Sequence, residues 1–480
     1  MSDVSSHTAD KAAAATAWPA FDDIAEPVMV CFGVGNGSGS KLFQAHLDAH
    51  PEIYMTPGYQ LMYLYPHWHQ WREEMGDDWS WPAIVDAFCE KHASLLDSRN
   101  IPGNDGLDTL GDGHDQHLFV DEGAFRSCLL YLLADKPLSS RTFILAVHYA
   151  YAIVRGEDIE KKRVLVYHLH VHEYVHYLKE DFPDMRVIAF VRDPRSNLKG
   201  RFNSNVKIDK EKLNGSDAAI YLRRTFLNHW QFHVDSFERL RGIPNERMRV
   251  VRHEDINLRR DELMQATAAF LGIAYHPCLN EITFGGLKWW GASHYEMKPM
   301  NKPNPRTISD VWKKELPALD WFVLEGLGYD YCRKYGYQLF KFRTNSLANR
   351  ILLLLALFMP MRWERWIAGQ YFSPAYFRQF LNAAKAEANG GVELKDYRHN
   401  AFYRHKWCNQ GLDLHVTPWY RRGAETGTPS AGRTGYVTGS VLRYIGAVLT
   451  LPLYVARRIA ISLRQYIHVI RGTDVLPDAL

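Results

Sequence analysis

From Pro27 onward, short apolar runs rich in β-branched residues alternate with stretches whose apolar positions recur every three to four residues, as strands and helices do around a parallel sheet. "PVMVCFGVG" (27–35) predicts a buried strand, and "KLFQAHLDAH" (41–50) predicts the helix after it. "RVLVYHLHV" (163–171) reads as a second strand, "EYVHYLKEDF" (173–182) as a helix, and "MRVIAFVRD" (185–193) as a third strand ending in charge. The amphipathic stretch 218–241 predicts a long helix, "RMRVVRHED" (247–255) a fourth strand, and "DELMQATAAFLG" (261–272) a helix stopped by its glycine. The pattern defines an α/β fold, a three-layer parallel sheet covered by helices on both faces.

Past about residue 340 the pattern changes. "ILLLLALFM" (351–359) and "YIGAVLTLPLYVARRIAISL" (444–463) are apolar patches bracketed by Arg350, Arg362, Arg443, Arg457 and Arg458. Neither has an unbroken stretch of the roughly 20 apolar residues that a crossing helix needs. Two readings stay open: helices lying in a membrane surface with arginines reaching lipid phosphates, or buried helices of a soluble appendage. "RRGAETGTPSAGRTGYVTGS" (421–440), rich in Gly, Ser and Thr, reads as a linker. The expected organisation is a disordered tail over 1–24, an α/β domain over 25–340, a helical extension over 341–420, the linker, and an amphipathic helix over 441–480.

Composition narrows the function. With 46% hydrophobic and 23% charged residues in 480, the composition argues against bulk disorder and against a polytopic membrane protein. Lys and Arg exceed Asp and Glu by 57 to 54, far too little for a protein that coats nucleic acid, so any anion site must be local. Six cysteines without CxxC spacing argue against a zinc knuckle or a disulfide framework and fit a reducing compartment. The first residues lack the basic start and strongly apolar middle of a secretory signal, so a cytoplasmic protein is expected, peripheral to the inner face of a membrane if the last third binds lipid.

The strand at 27–35 runs into Gly33, Gly35, Asn36, Gly37, Ser38, Gly39, Ser40 and Lys41 before its helix starts. Such a turn aims backbone N–H groups and the positive end of the helix dipole at one spot, and glycine leaves room for an oxyanion to approach. Ser38 and Ser40 add hydroxyl donors, and Lys41 adds charge. The spacing matches neither the dinucleotide fingerprint nor a Walker loop. Further on, Arg192 stands at the end of a predicted parallel strand, where α/β sheets bind ligands, and could grip a phosphate with two hydrogen bonds.

"SGSKLFQAHLDAHPEI" (38–53) resembles the 5′-phosphosulfate loop of sulfotransferases, with His50 and Pro51 in register. "FPDMRVIAFVRDPRSNLKGRF" (182–202) is similar to their 3′-phosphate motif, with Arg192 and Pro194 in place. "RMRVVRHEDINLRRDELMQATAAFLGI" (247–273) resembles their fourth strand and following helix, with Glu254 and Asp255 as structural acceptors. The resemblance spans about 27–337 and implies a P-loop-like phosphosulfate loop. Two departures stand out. Gly37 occupies the place of the usual loop cation, which Lys41 would have to replace. Gly200 occupies the place of the usual second phosphate-binding serine, with Ser196, Lys199 and Arg201 as substitutes.

"VYHLH" (166–170) falls where many sulfotransferases carry Lys-Thr-His-Leu-Pro, which makes His168 the match for the catalytic base, with His170 and His172 in reserve. Other branches use a carboxylate, for which Glu122 or Glu173 would serve. The same window contains His172-Glu173-x-x-His176, the H-E-x-x-H pattern of zinc peptidases, and His168, His170 and His172 could share one strand face as metal ligands. So crowded a histidine window makes such matches frequent by chance, and the flanks offer no obvious third ligand for a peptidase zinc.

The resemblance implies 3′-phosphoadenosine 5′-phosphosulfate (PAPS) as small-molecule sulfate donor, transfer of its sulfuryl group to a hydroxyl or amine, and no metal. His168 and Lys41 would be catalytic; Gly35 to Lys41, Arg192 and Gly200 would line the donor. Tryptophans such as Trp289 and Trp290, with the apolar C-terminal stretches, suggest a glycan or lipid-linked acceptor. A nucleotide-binding protein of the same fold that has lost turnover is the alternative, motivated by the two departures.

Overall fold

The computed structural model describes residues 18–33, 37–100, 106–169, 174–198, 246–291, 312–389, 433–472 and 476–480. Five parallel strands form the central sheet: β1 (Val28–Gly33), β2 (Ile53–Met55), β3 (Val164–Tyr167), β4 (Arg186–Val191) and β5 (Met248–Arg252), in the order β2-β3-β1-β4-β5. Cys31 pairs with Tyr167 on one side of β1, and Gly33 with Ala189 on the other. The three central strands therefore end side by side. Their near-continuous apolar runs follow from burial on both faces: Met29 and Cys31 point into one core, and Val30 and Phe32 into the other.

The second of those cores is covered by α1 (Ser40–Leu47) and a helix over Arg260–Leu271, which stops at Gly272 in the left-handed conformation, as its glycine predicts. The first is covered by helices that the strand-and-helix pattern did not reveal: α2 (Leu64–Met75), α3 (Trp81–Lys91), α4 (Glu122–Leu133) and α5 (Ser140–Val154). The predicted strand over 163–171 ends at Tyr167, and the predicted helix over 218–241 lies outside the described residues. Residues 18–24, expected in a disordered tail, are folded. Ile24 is buried, Tyr131 donates to the Trp18 carbonyl, and Asp22 pairs with Lys136 at 2.5 Å.

Beyond the sheet, helices over Ala318–Leu327, Leu347–Ala356, Arg362–Tyr371, Pro374–Asn389 and Arg433–Arg471 build a second core around Leu324, Leu353, Leu357, Phe380, Tyr444 and Leu451. The last helix begins inside the stretch expected to be a linker. Its parts Val437–Gly446 and Leu451–Arg471 meet at a 40° bend beside Pro452, which has no N–H to give to the turn before it. Among the described residues no single helix is long and apolar enough to cross a membrane.

Arg458, which would reach lipid on the membrane-surface reading, is buried. Its guanidinium forms a two-pronged ion pair with Glu364 at 2.7 and 3.0 Å and donates to the carbonyls of Leu357 and Met359. The chain end then returns to the sheet. Leu476 enters the first core, Val250 donates to the Asp478 carbonyl, and Leu480 donates to the Val250 carbonyl, extending the edge of β5.

Candidate active site

Because β3, β1 and β4 are neighbours, their carboxyl ends bring three chemically distinct groups together. β3 delivers His168, β1 delivers the glycine loop, and β4 delivers Arg192. The next strand, β5, adds His253 at its own end.

Of the loop, Gly37 to Lys41 are described, and Gly35 and Asn36 lie outside the described residues. Gly37 and Gly39 have φ of 79° and 84°, a left-handed geometry open to glycine at little cost. Gly39 is constrained twice, since a Cβ there would stand 2.3 Å from Nδ1 of the His253 ring. It caps α1, whose first-turn N–H groups have no carbonyl within the helix to bond and face the loop, and Ser38 and Ser40 are buried beside them.

Arg192 reaches over this loop. Its Nη1 donates to the Gly37 carbonyl at 3.0 Å and its Nη2 to Ser196 Oγ at 3.3 Å. Of the three proposed substitutes for the missing serine, Ser196 is thus the one seen beside the arginine; Lys199, Gly200 and Arg201 lie outside the described residues. The backbone around Arg192 is anchored deliberately. Tyr331 Oη accepts from the Arg192 N–H and donates to its carbonyl oxygen, both at 3.2 Å. Glu254 accepts from the Asp193 N–H at 3.1 Å and from Tyr337 at 2.9 Å, the structural role its sequence context suggested. Buried Arg195 clasps Asp193 at 2.9 and 2.7 Å and reaches Glu325.

His168 is buried with both ring nitrogens engaged. Nδ1 lies 2.7 Å from Gln44 Oε1, and Nε2 lies 3.1 Å from Ser40 Oγ. The amide of Gln44 is oriented by its own donation to the Thr56 carbonyl at 2.8 Å, which leaves Oε1 to accept. Nδ1 therefore donates to Gln44, and in the neutral ring the lone pair of Nε2 points at the loop serine. The ring also packs edge-on against Phe32 and Tyr59.

Lys41, expected to supply the loop cation, places its ammonium 5.4–5.5 Å from the rings of Tyr59, Phe284 and Trp289. Phe284 belongs to β6 (Thr283–Phe284) of a hairpin held down by Asp48, which accepts from Thr283 Oγ1 and the Gly286 N–H at 2.8 Å each. His50 is structural: Nε2 bonds the Ala274 carbonyl at 3.0 Å while Nδ1 accepts from the Glu52 N–H. His170, His172 and Glu173 lie outside the described residues, His176 packs on Tyr177, and Glu122 is exposed at the start of α4. Among the described residues no group of three His, Cys, Asp or Glu is arranged to hold a metal ion.

Gln44 and His253 were not singled out from sequence. His253 is buried against the Ser38 backbone, and burial, with Arg192 nearby, pushes its pKa down to about 3. The only signal for either residue was its place, one on the second turn of the helix after the loop and one opening "HED".

A family model described as the sulfotransferase family matches residues 33–277, just over half of the chain, and the chain belongs to that family. Two solved structures resemble it distantly. The sulfotransferase domain from the Synechococcus PCC 7002 olefin synthase is 16% identical over 55% of this chain and 78% of its own, with a TM-score of 0.30. The sulfotransferase domain from the curacin biosynthetic pathway is 16% identical over 66% of this chain and 99% of its own, with a TM-score of 0.36. No curated protein matches the chain in sequence.

Proposed function

We propose that this sulfotransferase takes its sulfuryl group from PAPS and transfers it to a hydroxyl, or an amine, of a glycan or lipid-linked acceptor. The observation that carries the reading is the convergence at one sheet end of the Gly37–Ser40 turn, the Arg192 guanidinium 3.0 Å from it, and the Nε2 of His168 3.1 Å from Ser40. A donor with a 5′-phosphosulfate and a separate 3′-phosphate needs two anion sites, and the turn and Arg192 with Ser196 are such a pair.

In this reading the amides of the turn and the hydroxyls of Ser38 and Ser40 hold the phosphosulfate. The acceptor hydroxyl takes the place of Ser40 Oγ at His168 Nε2, which removes its proton as the oxygen attacks sulfur. The bond from sulfur to the bridging phosphate oxygen breaks, and the charge that collects on that oxygen is met by the prearranged donors, leaving 3′-phosphoadenosine 5′-phosphate. Gln44 keeps His168 in the tautomer that can accept. Lys41, the expected loop cation, stands among Tyr59, Phe284 and Trp289, aromatic faces that suit a sugar ring or an apolar chain.

Incubation with labelled donor and a panel of glycans and lipids, followed by mass spectrometry, tests the reading. His168→Ala is expected to lose about 10²- to 10⁴-fold in turnover while still binding the desulfated donor. Binding without turnover in the unaltered protein, on every acceptor, would favour the alternative of a nucleotide-binding protein.

A further inference from the structure

The helix over Leu347–Ala356 is turned inside out for a soluble protein. Leu353 and Ala356 face the second core, while Leu347, Ile351, Leu352 and Leu355 point outward with exposures of 73, 50, 54 and 61%, followed by exposed Phe358 and Met359. The long C-terminal helix repeats the arrangement. Tyr444, Leu451 and Val469 face inward, and Leu442, Ile445, Leu449 and Leu453 form an outward stripe at helical spacing. Twelve of the eighteen large apolar side chains exposed among the described residues lie between 347 and 467. Scattered single exposures are ordinary, but stripes on neighbouring helices mark a surface built to be covered. The two helices are neighbours: Tyr466 donates to the Arg350 carbonyl, and Asn345 donates to that of Val469.

Charge identifies what covers it. Over 341–389 and 433–472 the sequence has thirteen Lys and Arg against two Asp and Glu, whereas the whole chain has 57 against 54. One of those two acids, Glu364, is already neutralised by Arg458. Exposed Lys341, Arg343, Arg362 and Arg365 flank the first helix, and exposed Arg464 and Arg471 lie at the far end of the second. A second copy would set two such basic surfaces against each other, which like-charge repulsion opposes. A surface that is apolar at its centre and basic at its margins fits the headgroup region of an anionic bilayer. We infer that the helices over 347–356 and 433–471 form a docking face that lies in the interface of an anionic membrane, such as a cytoplasmic leaflet. The face is outside the matched 33–277 region and does not depend on the sulfotransfer reading.

The test is flotation of the full chain with vesicles of phosphatidylcholine alone and with added phosphatidylserine, at low and high salt. The expected result is binding to the anionic vesicles, at least about tenfold weaker without phosphatidylserine or in high salt. Leu352→Asp with Leu355→Asp should lower it by a further tenfold or more; both side chains are exposed, so thermal unfolding should not move. Absence of flotation with either vesicle would overturn the inference. So would equal binding to both vesicles that resists alkaline extraction, the mark of a crossing segment, or a dimer in sedimentation that the same two substitutions dissociate. Sulfate transfer to a soluble acceptor should be unchanged in the double variant, so this outcome and the catalytic one are read separately.

Discussion

The guanidinium of Arg192 donates to the carbonyl oxygen of Gly37 across 3.0 Å, linking the end of β4 to the loop that leaves β1. Neither residue is near the other in sequence. Their meeting follows from the strand order, which sets β4 against β1 and leaves both carboxyl ends open to one ligand.

Replacing Arg192 by Ala should weaken binding of the desulfated donor by about 10- to 100-fold, the range for losing charge-assisted bonds to a phosphate. Arg192→Lys should recover only part of it, since an ammonium cannot make the forked contact. Calorimetric titration of both variants checks this, and equal affinity in all three proteins would remove Arg192 from the donor site.

Gly39→Ala meets two separate penalties, a φ of 84° and a Cβ 2.3 Å from the His253 ring. A loss of about 1–3 kcal/mol in stability and of most donor binding is expected. Adding His253→Ala should relieve the contact but not the backbone strain, restoring part of the stability. Thermal melts of the two variants beside the parent separate the contributions.

Gln44 acts on the reaction through His168. Gln44→Ala frees the ring to adopt the other tautomer and should lower kcat by about 10- to 100-fold with donor affinity nearly unchanged. Gln44→Glu places a carboxylate 2.7 Å from Nδ1 and favours the imidazolium, so the base stays protonated to higher pH. The acid limb of the kcat profile should move up by about one pH unit. A limb that stays put would mean that His168 is not the titrating base.

Burial holds His46, His92 and His148 neutral, with pKa values lowered to about 4. Each is lower than in the unfolded chain, so the folded state binds fewer protons as pH falls. Stability should therefore decline from about pH 6.5 downward until near pH 4, by up to about 3 kcal/mol for each histidine. Denaturant melts at stepped pH check the window. A stability that holds level down to pH 4.5 would contradict it.

The last five residues are part of the sheet edge, with Val250 donating to the Asp478 carbonyl, its own carbonyl accepting from Leu480, and Tyr335 donating to the Pro477 carbonyl at 3.0 Å. Removing 476–480 should cost about 2–4 kcal/mol through the lost core leucine and freed edge groups. A melt unchanged by the truncation would contradict this. Deleting the whole C-terminal segment is therefore a poor probe of membrane contact, and the point substitutions above avoid the difficulty.

Much of the sheet was legible because fully buried parallel strands are written as apolar runs, and four of its five strands were read from them. β2, only Ile53–Met55, was too short to show a pattern. Of the helices over 64–154, the one over Ser140–Val154 is buried at every residue from Thr142 to Ala152 and so shows no polar face to mark it. Ser38, Ser40 and Arg192 could be singled out because their chemistry sits at strand ends, and His168 because "VYHLH" resembles a family motif. Gln44 and His253 could not, because their importance is geometric: one amide turned by Thr56, one ring filling the space a glycine leaves. Arg458 misled because a charge beside an apolar run looks the same whether it faces lipid or a buried Glu364 far along the chain.

The most direct test is calorimetric titration of 3′-phosphoadenosine 5′-phosphate into the intact protein. One site per chain is expected, with heat that disappears in Gly39→Ala and falls sharply in Arg192→Ala. Absence of heat with folded protein, or binding that ignores both substitutions, would contradict a donor site built from the Gly37–Ser40 turn and Arg192.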